Sequence, residues 1–428
     1  MQPPPIRLDF SEQLAAEARL AFARNVARGE AGINLAEAAL QVAAEDDAIA
    51  SSSTVAFPVS SYMQRIKQLA DEIATQHRAV PLASSSTDPS GSSNGSGSNT
   101  SGGGGGLAAL PPSEAVGAVE AALFGQQRLR LARCGRSALP ARALLTHPGT
   151  HESAQPAYLN EVLVRRVGHP AALAIILHEV LQQLLVSGDI TVAAAVSPPP
   201  GWAGLPRAYA LPHLPRHMVL GAGTGGITLN ACSSEALVEL LRHLKRAYWP
   251  FQWDTSIDTQ HCSHGGFRGA AKSALGSEEV TAEVRAISAT AAHRLQRGIW
   301  TSPGAGDLRR CVAACERLVM LAGDEQPRER RDLGVLYLHA GLFDEAAAEL
   351  SEYYRRTTRP SAAAAAAAAG LTSEDPFDLK LTQLLLKLIE TGGAPGGEAA
   401  SGVAAATASG AAAAKGGEGE NAVMLLLL

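Results

Sequence analysis

The feature that most constrains this chain is the stretch at residues 158–185, YLNEVLVRRVGHPAALAIILHEVLQQLL, because it holds two helical patterns with a break between them. Apolar residues at helical spacing predict a short first helix, and Gly168 followed by Pro170 predicts its end, with Gly168 as a left-handed cap. Pro170 suits the first turn of a second helix. The apolar residues that recur there every three or four positions are Leu173, Ile176, Leu177, Val180, Leu181 and Leu184. This second helix is therefore predicted to lie in the core.

The start of the second helix, at Pro170, Ala171 and Ala172, is an environment that activates a thiol or binds an anion, because backbone N–H groups and the positive dipole end meet there. The pattern LNEVL, RR, G, P and a helix ending in HEV resembles the SirB-type transglutaminase-like proteins, which join a degenerate transglutaminase core to a C-terminal tetratricopeptide segment. In active enzymes of the transglutaminase fold, this helix start carries the nucleophilic cysteine. The resembled family usually has serine there, and Ala172 in this chain implies that the nucleophile is lost.

The resemblance also assigns the other two members of a catalytic triad. The segment PRHMVL places His217 at the histidine position, and the residues after it place Asn230 where the acid would stand. Asparagine can orient a neutral imidazole, but it does not stabilise an imidazolium as a carboxylate does. Cys232 is the candidate for a relocated nucleophile, although a lone cysteine near a strand end is typically a small buried hydrophobe. For His217, the alternative to catalysis is a structural bond to the backbone.

A second recognisable pattern lies in the C-terminal part. Two helices are predicted there, with small and aromatic residues at the spacing of the tetratricopeptide unit of about 34 residues. These residues are Gly334, Tyr337, Gly341, Phe343, Ala346 and Leu350. The groove of such a repeat is a candidate site for a protein or peptide partner, and its candidate contact residues are Tyr337, His339, Tyr353, Tyr354 and Arg355. The alternative is that these aromatic residues only seal the helix pair.

Metal binding and redox chemistry have little support. His261, Cys262 and His264, with Cys311 and Cys315 at helical spacing, form a conceivable zinc set, but the spacing fits no known zinc module. We therefore expect no metal and no cofactor. The five cysteines are odd in number and scattered, which favours free thiols in a reducing compartment.

Charge and hydropathy exclude two classes of partner, nucleic acids and membranes. The formal net charge of −5 is spread without a basic block, so no nucleic acid partner is expected. No apolar run reaches the roughly 20 residues of a membrane helix, which predicts a soluble protein without a membrane partner. No targeting segment is visible, and we expect an intracellular protein of the cytoplasm or of the plastid stroma. Relatives in photosynthetic eukaryotes often lie in plastids, so the resemblance adds the plastid stroma as an alternative.

The predicted fold class is α+β and mostly α: a degenerate transglutaminase-like core with a small antiparallel sheet, plus tetratricopeptide-type helical hairpins. Residues 1–82 form an N-terminal helical region, with Asn34 as a helix cap and a helix at 62–76. A Gly/Ser linker at 83–111 is followed by the core at 112–235, with strands at 190–196, 217–220 and 227–229. The tetratricopeptide-like region spans 236–392, with an irregular insertion at 255–278, and a low-complexity tail spans 393–428.

Two functions follow from these patterns. Because position 172 is alanine and position 230 is asparagine, the sequence favours a non-catalytic interaction or adaptor protein, that is, a pseudoenzyme that holds a protein or peptide partner. The alternative is a thiol hydrolase or acyltransferase that uses His217 with a recruited cysteine such as Cys232.

Overall fold

The structure is a computed structural model that describes residues 10–30, 32–51, 54–79, 106–132, 153–197, 202, 204–211, 232–251, 263–276, 306–358 and 375–391. Most of these residues are helical, and the strands among them form two sheets of two strands each. The predicted class, mostly α with a small β part, is therefore confirmed. The predicted strands at 217–220 and 227–229, the tail at 393–428 and most of the Gly/Ser linker lie outside the described residues.

The N-terminal region consists of α1 (Phe10–Val26), α2 (Leu35–Ser51) and α3 (Val59–Ala79). Asn34 caps α2 as predicted, because its Oδ1 accepts the N–H of Glu37 at 2.9 Å. The alanine-rich α2 is buried along almost its whole length, which allows neighbouring helices to approach closely. The buried face of α3 includes Ile66 and Ile73. The end of the predicted linker belongs to the fold, since Leu107 is buried in a short 3₁₀ turn.

The central region begins with α4 (Pro112–Glu120), which continues into one π-helical turn, Ala121–Gln126. Then follow β1 (Arg130–Leu131), α5 (Leu159–Arg165), β2 (Val167–Gly168) and α6 (Pro170–Ser187). The strands β3 (Ala194–Ser197) and β4 (Arg207–Ala210) complete this part. β1 pairs with β2 in parallel, and β3 pairs with β4 in antiparallel fashion. The predicted core helix is α6, and it is buried at nearly every position.

The break between α5 and α6 differs from the prediction in one respect. The left-handed residue after α5 is Arg166, with φ of 61°, whereas Gly168 lies in β2. Glycine is needed at position 168 for close packing, because an added Cβ would stand 2.7 Å from Cγ1 of Val162. The prediction of Gly168 as the helix cap was therefore wrong.

The C-terminal region contains α7 (Glu235–Tyr248), α8 (Ser263–Leu275), α9 (Leu308–Ala322), α10 (Pro327–Ala340), α11 (Phe343–Thr357) and α12 (Pro376–Glu390). α10 and α11 form the predicted helical hairpin, with Gly341 left-handed at φ of 79° between them. Gly334 brings them together, since a Cβ there would lie 2.7 Å from Cγ of Leu350.

The predicted irregular insertion at 255–278 contains α8, so that part of the prediction was wrong. The glycines near its start hide the helical pattern, but Phe267, Ala270 and Ala271 are fully buried against the neighbouring helices. α8 packs on α10 and α12. Tertiary packing therefore stabilises a helix whose own sequence has weak helix propensity.

One apolar core connects all these regions, from Phe22 in α1 to Leu385 in α12. Within the described part of the chain, α6 is the one helix long and apolar enough to cross a membrane, and most of it is buried inside the fold. This burial agrees with the prediction that the helix lies in the core.

Candidate functional site

The first candidate site is the start of α6, where the resemblance places the lost nucleophile. His169 caps the helix, since its Nδ1 accepts the N–H of Ala171 at 3.2 Å. The N–H of His169 itself donates to the carbonyl of Pro156 at 2.8 Å. Ala172 is 0% exposed. The predicted nucleophile position therefore carries a methyl group that a substrate cannot reach in this fold.

Two histidines meet beside this helix start. The rings of His169 and His243 have centroids 4.9 Å apart, and Nε2 of His243 lies 2.8 Å from the carbonyl oxygen of Ser153. Both residues are buried. Sequence reasoning missed this pair, because His243 lies on α7, far along the chain. Imidazoles can activate a nucleophile by removing its proton, but position 172 offers no group to activate.

The other two triad positions, His217 and Asn230, lie outside the described residues. Cys232 is described and buried, and burial, with the nearby Glu30 carboxylate, raises the pKa of its thiol to about 12. Cys311 and Cys315 are fully buried in α9. Since the thiolate is the nucleophile, these environments disfavour thiol chemistry at neutral pH.

The conceivable zinc set, which the sequence did not favour, falls largely outside the described residues. His261 and Cys262 lie outside the described residues, as does the side chain of His264. Cys311 directs its Sγ to the carbonyl of Lys245 at 3.6 Å. Among the described residues, no group of three or more His, Cys, Asp or Glu side chains could hold a metal ion.

The predicted partner-binding residues do not line one open groove. Tyr353 is fully buried, and the guanidinium of Arg331 lies 5.7 Å from its ring. His339 packs against Phe251, with ring centroids 4.3 Å apart. The surroundings of these two residues therefore fit the alternative stated above, in which the aromatic side chains seal the helix pair.

The other three predicted contact residues are engaged by the fold to different degrees. The hydroxyl of Tyr337 donates to Oε1 of Glu316 at 2.8 Å. The hydroxyl of Tyr354 accepts from the Gln383 amide on α12. Arg355 is exposed and pairs with Glu352. α8 and α12 pack on the helical hairpin that sequence reasoning treated as open.

A buried polar cluster that sequence reasoning missed lies between α2, α7 and α9. Asp46 forms an ion pair with Arg310, and both are buried. The Arg310 guanidinium lies 4.0 Å above the ring of Tyr248, whose hydroxyl is 2.9 Å from that of Tyr158. Burial, and then the Asp46 charge, raises the pKa of both tyrosines well above the usual value, so both hydroxyls are neutral.

The cavity at this cluster is small. Its volume of about 10 Å³ is at the lower limit for a single water molecule. A substrate or cofactor would not fit there without a rearrangement of the surrounding side chains. The cluster therefore has the dimensions of a structural ion pair rather than of an active site.

Two further charge networks join the helices. In the first, Arg19 reaches both Glu45 at 2.8 Å and Glu316 at 2.9 Å, and Arg317 also pairs with Glu45. This network ties α1 and α2 to α9. Glu316 of α9 also accepts a hydrogen bond from the hydroxyl of Tyr337.

The second network lies deeper in the C-terminal region. Nζ of Lys245 contacts Glu329 and Asp332 at 2.7 Å each, and Arg331 bridges Asp332 and Asp378. A sequence signal for this network exists: Arg331 is in helical register with the buried Val335 and Leu338, so it falls on the apolar face of α10.

Buried histidines make stability depend on pH. Burial lowers the pKa of His178 and of His339 from 6.5 to about 4. Between these values the unfolded chain binds more protons than the folded one, so stability present above pH 6.5 is lost as the pH falls towards 4. We expect a slope of up to about 1.4 kcal/mol per pH unit for each histidine. Urea titrations at a series of pH values measure it.

His178→Phe should flatten this pH profile, because it removes one titrating group from an apolar site. His77→Gln in α3 is the control, since its imidazole is partly exposed. If stability depends on pH as steeply in His178→Phe as in the wild type, the pKa of His178 in the folded protein is not lowered from its value in the unfolded chain.

The comparisons with known proteins add no relative to these observations: the chain matches no family model, no curated protein and no solved structure.

Proposed function

We propose that this protein is a non-catalytic helical scaffold that holds a protein or peptide partner. The observation that carries the proposal is Ala172: it stands fully buried at the start of α6, where the resemblance to transglutaminase-like proteins expects a nucleophile. A core helix that starts with a proline and two alanines, and is capped by His169, is suited to packing rather than to chemistry.

The thiols of the described residues support the same function. A thiol with a pKa of about 12, as in Cys232, is almost fully protonated at pH 7 and so reacts slowly with electrophiles. The alternative function, a thiol enzyme that uses a cysteine from elsewhere in the chain, would require a cysteine with a lowered pKa and an imidazole beside it.

The structure also bears on where a partner would bind. Tyr353 is fully buried, and the half-buried His339 has its Nε2 at 3.0 Å from the carbonyl oxygen of Ala270. The hairpin groove is therefore a poor docking site, and we look for the partner surface elsewhere on the molecule. As part of this proposal, we assign the central region to a transglutaminase-like core and the C-terminal region to tetratricopeptide-type hairpins. The helical hairpin of α10 and α11, with its glycine contacts, supports the second of them.

Labelling of the folded protein with a haloacetamide probe at neutral pH, mapped by mass spectrometry, tests the absence of thiol chemistry. We expect Cys232, Cys311 and Cys315 to react at least about 10-fold more slowly than free cysteine, because the thiolate is scarce and buried. No cysteine should react faster than free cysteine.

His217→Ala is the matched variant, and labelling in guanidinium shows that every cysteine is chemically competent. A cysteine that reacts faster than free cysteine and loses this rate in His217→Ala would overturn the proposal and establish a thiol enzyme.

A further inference from the structure

Four arginines gather at one corner of the fold, where β1 and β2 begin. This arginine patch consists of Arg128, Arg130, Arg165 and Arg166. Because β1 and β2 are parallel neighbours, the residues that precede them lie at the same end of the sheet. The N–H of Arg130 donates to the carbonyl of Arg166 at 2.9 Å, which fixes the two segments side by side. The sequence does not show this patch, since its two halves are some 35 residues apart.

The patch carries uncompensated positive charge. Arg165 pairs with Glu161 one turn earlier in α5, and Arg166 contacts the side chain of Gln127 at 3.3 Å. Arg128 and Arg130 are exposed, and neither forms an ion pair within the part of the chain that the structure describes. Two guanidinium groups are therefore free to bind an anion from outside.

Aliphatic side chains stand among these cations. Val164 is 55% exposed and Val167 is 38% exposed. Val167 is the direct cross-strand partner of Arg130, so an isopropyl group and a guanidinium stem lie side by side on the exposed face of the sheet. Val167 on β2, and Val164 next to Arg165 at the end of α5, give the cations exposed apolar neighbours, which suits a contact surface.

Two of the four arginines have a backbone conformation that is uncommon for arginine. Arg128 and Arg166 both have left-handed backbones, with φ of 56° and 61°. Glycine or asparagine adopts this conformation more readily, and other residues there cost roughly 1 kcal/mol. Arginine occurs at both positions although the turn itself favours smaller residues.

We propose that the arginine patch binds an acidic peptide segment of a partner protein, with carboxylates on Arg128 and Arg130 and an aliphatic side chain against Val164 and Val167. The inference rests on the proposed scaffold function and names its class of partner. Guanidinium groups bind carboxylates in a bidentate manner, and the alternation of cation and valine fits a peptide in which acidic and aliphatic residues alternate. The exposed Val164 and Val167 beside the arginines favour a peptide over a nucleic-acid backbone, which offers no aliphatic side chain to contact them.

Fluorescence anisotropy with a labelled peptide of about 12 residues, in which glutamate alternates with valine, tests the proposal on the full chain. The matched peptide has glutamine for every glutamate. We expect the glutamate peptide to bind at least about 10-fold more tightly than the glutamine peptide, with affinity falling as salt screens the charges. Arg128→Glu combined with Arg130→Glu should weaken binding by about 10-fold or more.

Arg24→Glu combined with Arg28→Glu is the matched control, because both side chains are exposed in or just after α1 and the change in net charge is the same. It should leave the affinity within about 2-fold. Circular dichroism melts of both variants verify that they fold. Equal loss in both double variants would overturn the proposal, because binding would then follow net charge alone.

Single-stranded RNA and phosphatidylserine vesicles are the competing probes. Tighter binding of either one than of the glutamate peptide, lost in the Arg128 and Arg130 variant, would overturn the peptide assignment. Absence of peptide binding together with slow, His217-independent thiol labelling would overturn the patch proposal and leave the non-catalytic scaffold standing. Fast, His217-dependent labelling would instead overturn the scaffold function, whatever the peptide does.

Discussion

Replacement of Arg310 by methionine should lower the free energy of unfolding by about 3–5 kcal/mol, the range for breaking a buried ion pair. The variant leaves the Asp46 carboxylate buried without its guanidinium partner and removes the cation above the ring of Tyr248. Methionine fills a similar volume, so most of the loss is electrostatic. Urea unfolding at pH 7 measures it.

Asp46→Leu combined with Arg310→Met should recover most of this stability, because an apolar pair of similar volume needs no desolvation of charge. If the double variant has the same free energy of unfolding as Arg310→Met alone, the electrostatic explanation is wrong. The lost stability would then come from packing around Tyr158 and Tyr248.

Replacement of Gly306 by alanine should cost about 3 kcal/mol or more, because the clash is with backbone. An added Cβ would stand 2.3 Å from Cα of Pro250 and 2.5 Å from the carbonyl oxygen of Trp249. Next to it, the N–H of Asp307 donates to the carbonyl of Tyr248 at 2.8 Å, and Asp307 caps α9. Separation of the two segments would therefore weaken both the bond and the cap. Chemical denaturation of the purified variant measures the loss.

Gly117→Ala is the control for the same chemical change. No atom lies within 4 Å of the added Cβ, and the position is inside α4, where alanine has the higher helix propensity. This variant should be neutral or slightly stabilised. A Gly306→Ala variant that unfolds at the wild-type urea midpoint would mean that the loop before α9 moves away from α7 at little cost.

Much of the helical fold could be predicted because local signals agree with the final packing. α12 begins with Pro376 directly after the Asp375 cap, and both residues are ordinary helix-start signals in the sequence. The cap at Asn34 and the glycine at 341 were equally clear. α8 was missed because its stability comes from Phe267 and small neighbours that pack on other helices, which no local pattern records.

The candidate sites were harder to predict, for physical reasons that differ from site to site. The groove residues Tyr353 and His339 have the composition of a binding surface, but α8 and α12 cover the hairpin, and sequence spacing does not show what covers a helix. The arginine patch depends on a parallel pairing of two strands of two residues each. Strands that short have no periodicity to detect.

The ion pair between Asp46 and Arg310 joins residues that are 264 positions apart in the chain. At a synthesis rate of about 5–20 residues per second, α2 leaves the ribosome roughly 10–50 s before its partner on α9 exists. During that interval Glu45 can already pair with Arg19 of α1, but the Asp46 carboxylate has no guanidinium partner and is expected to stay hydrated. We therefore expect the end of α2 that carries Asp46 to reach its buried place only after α9 has been made.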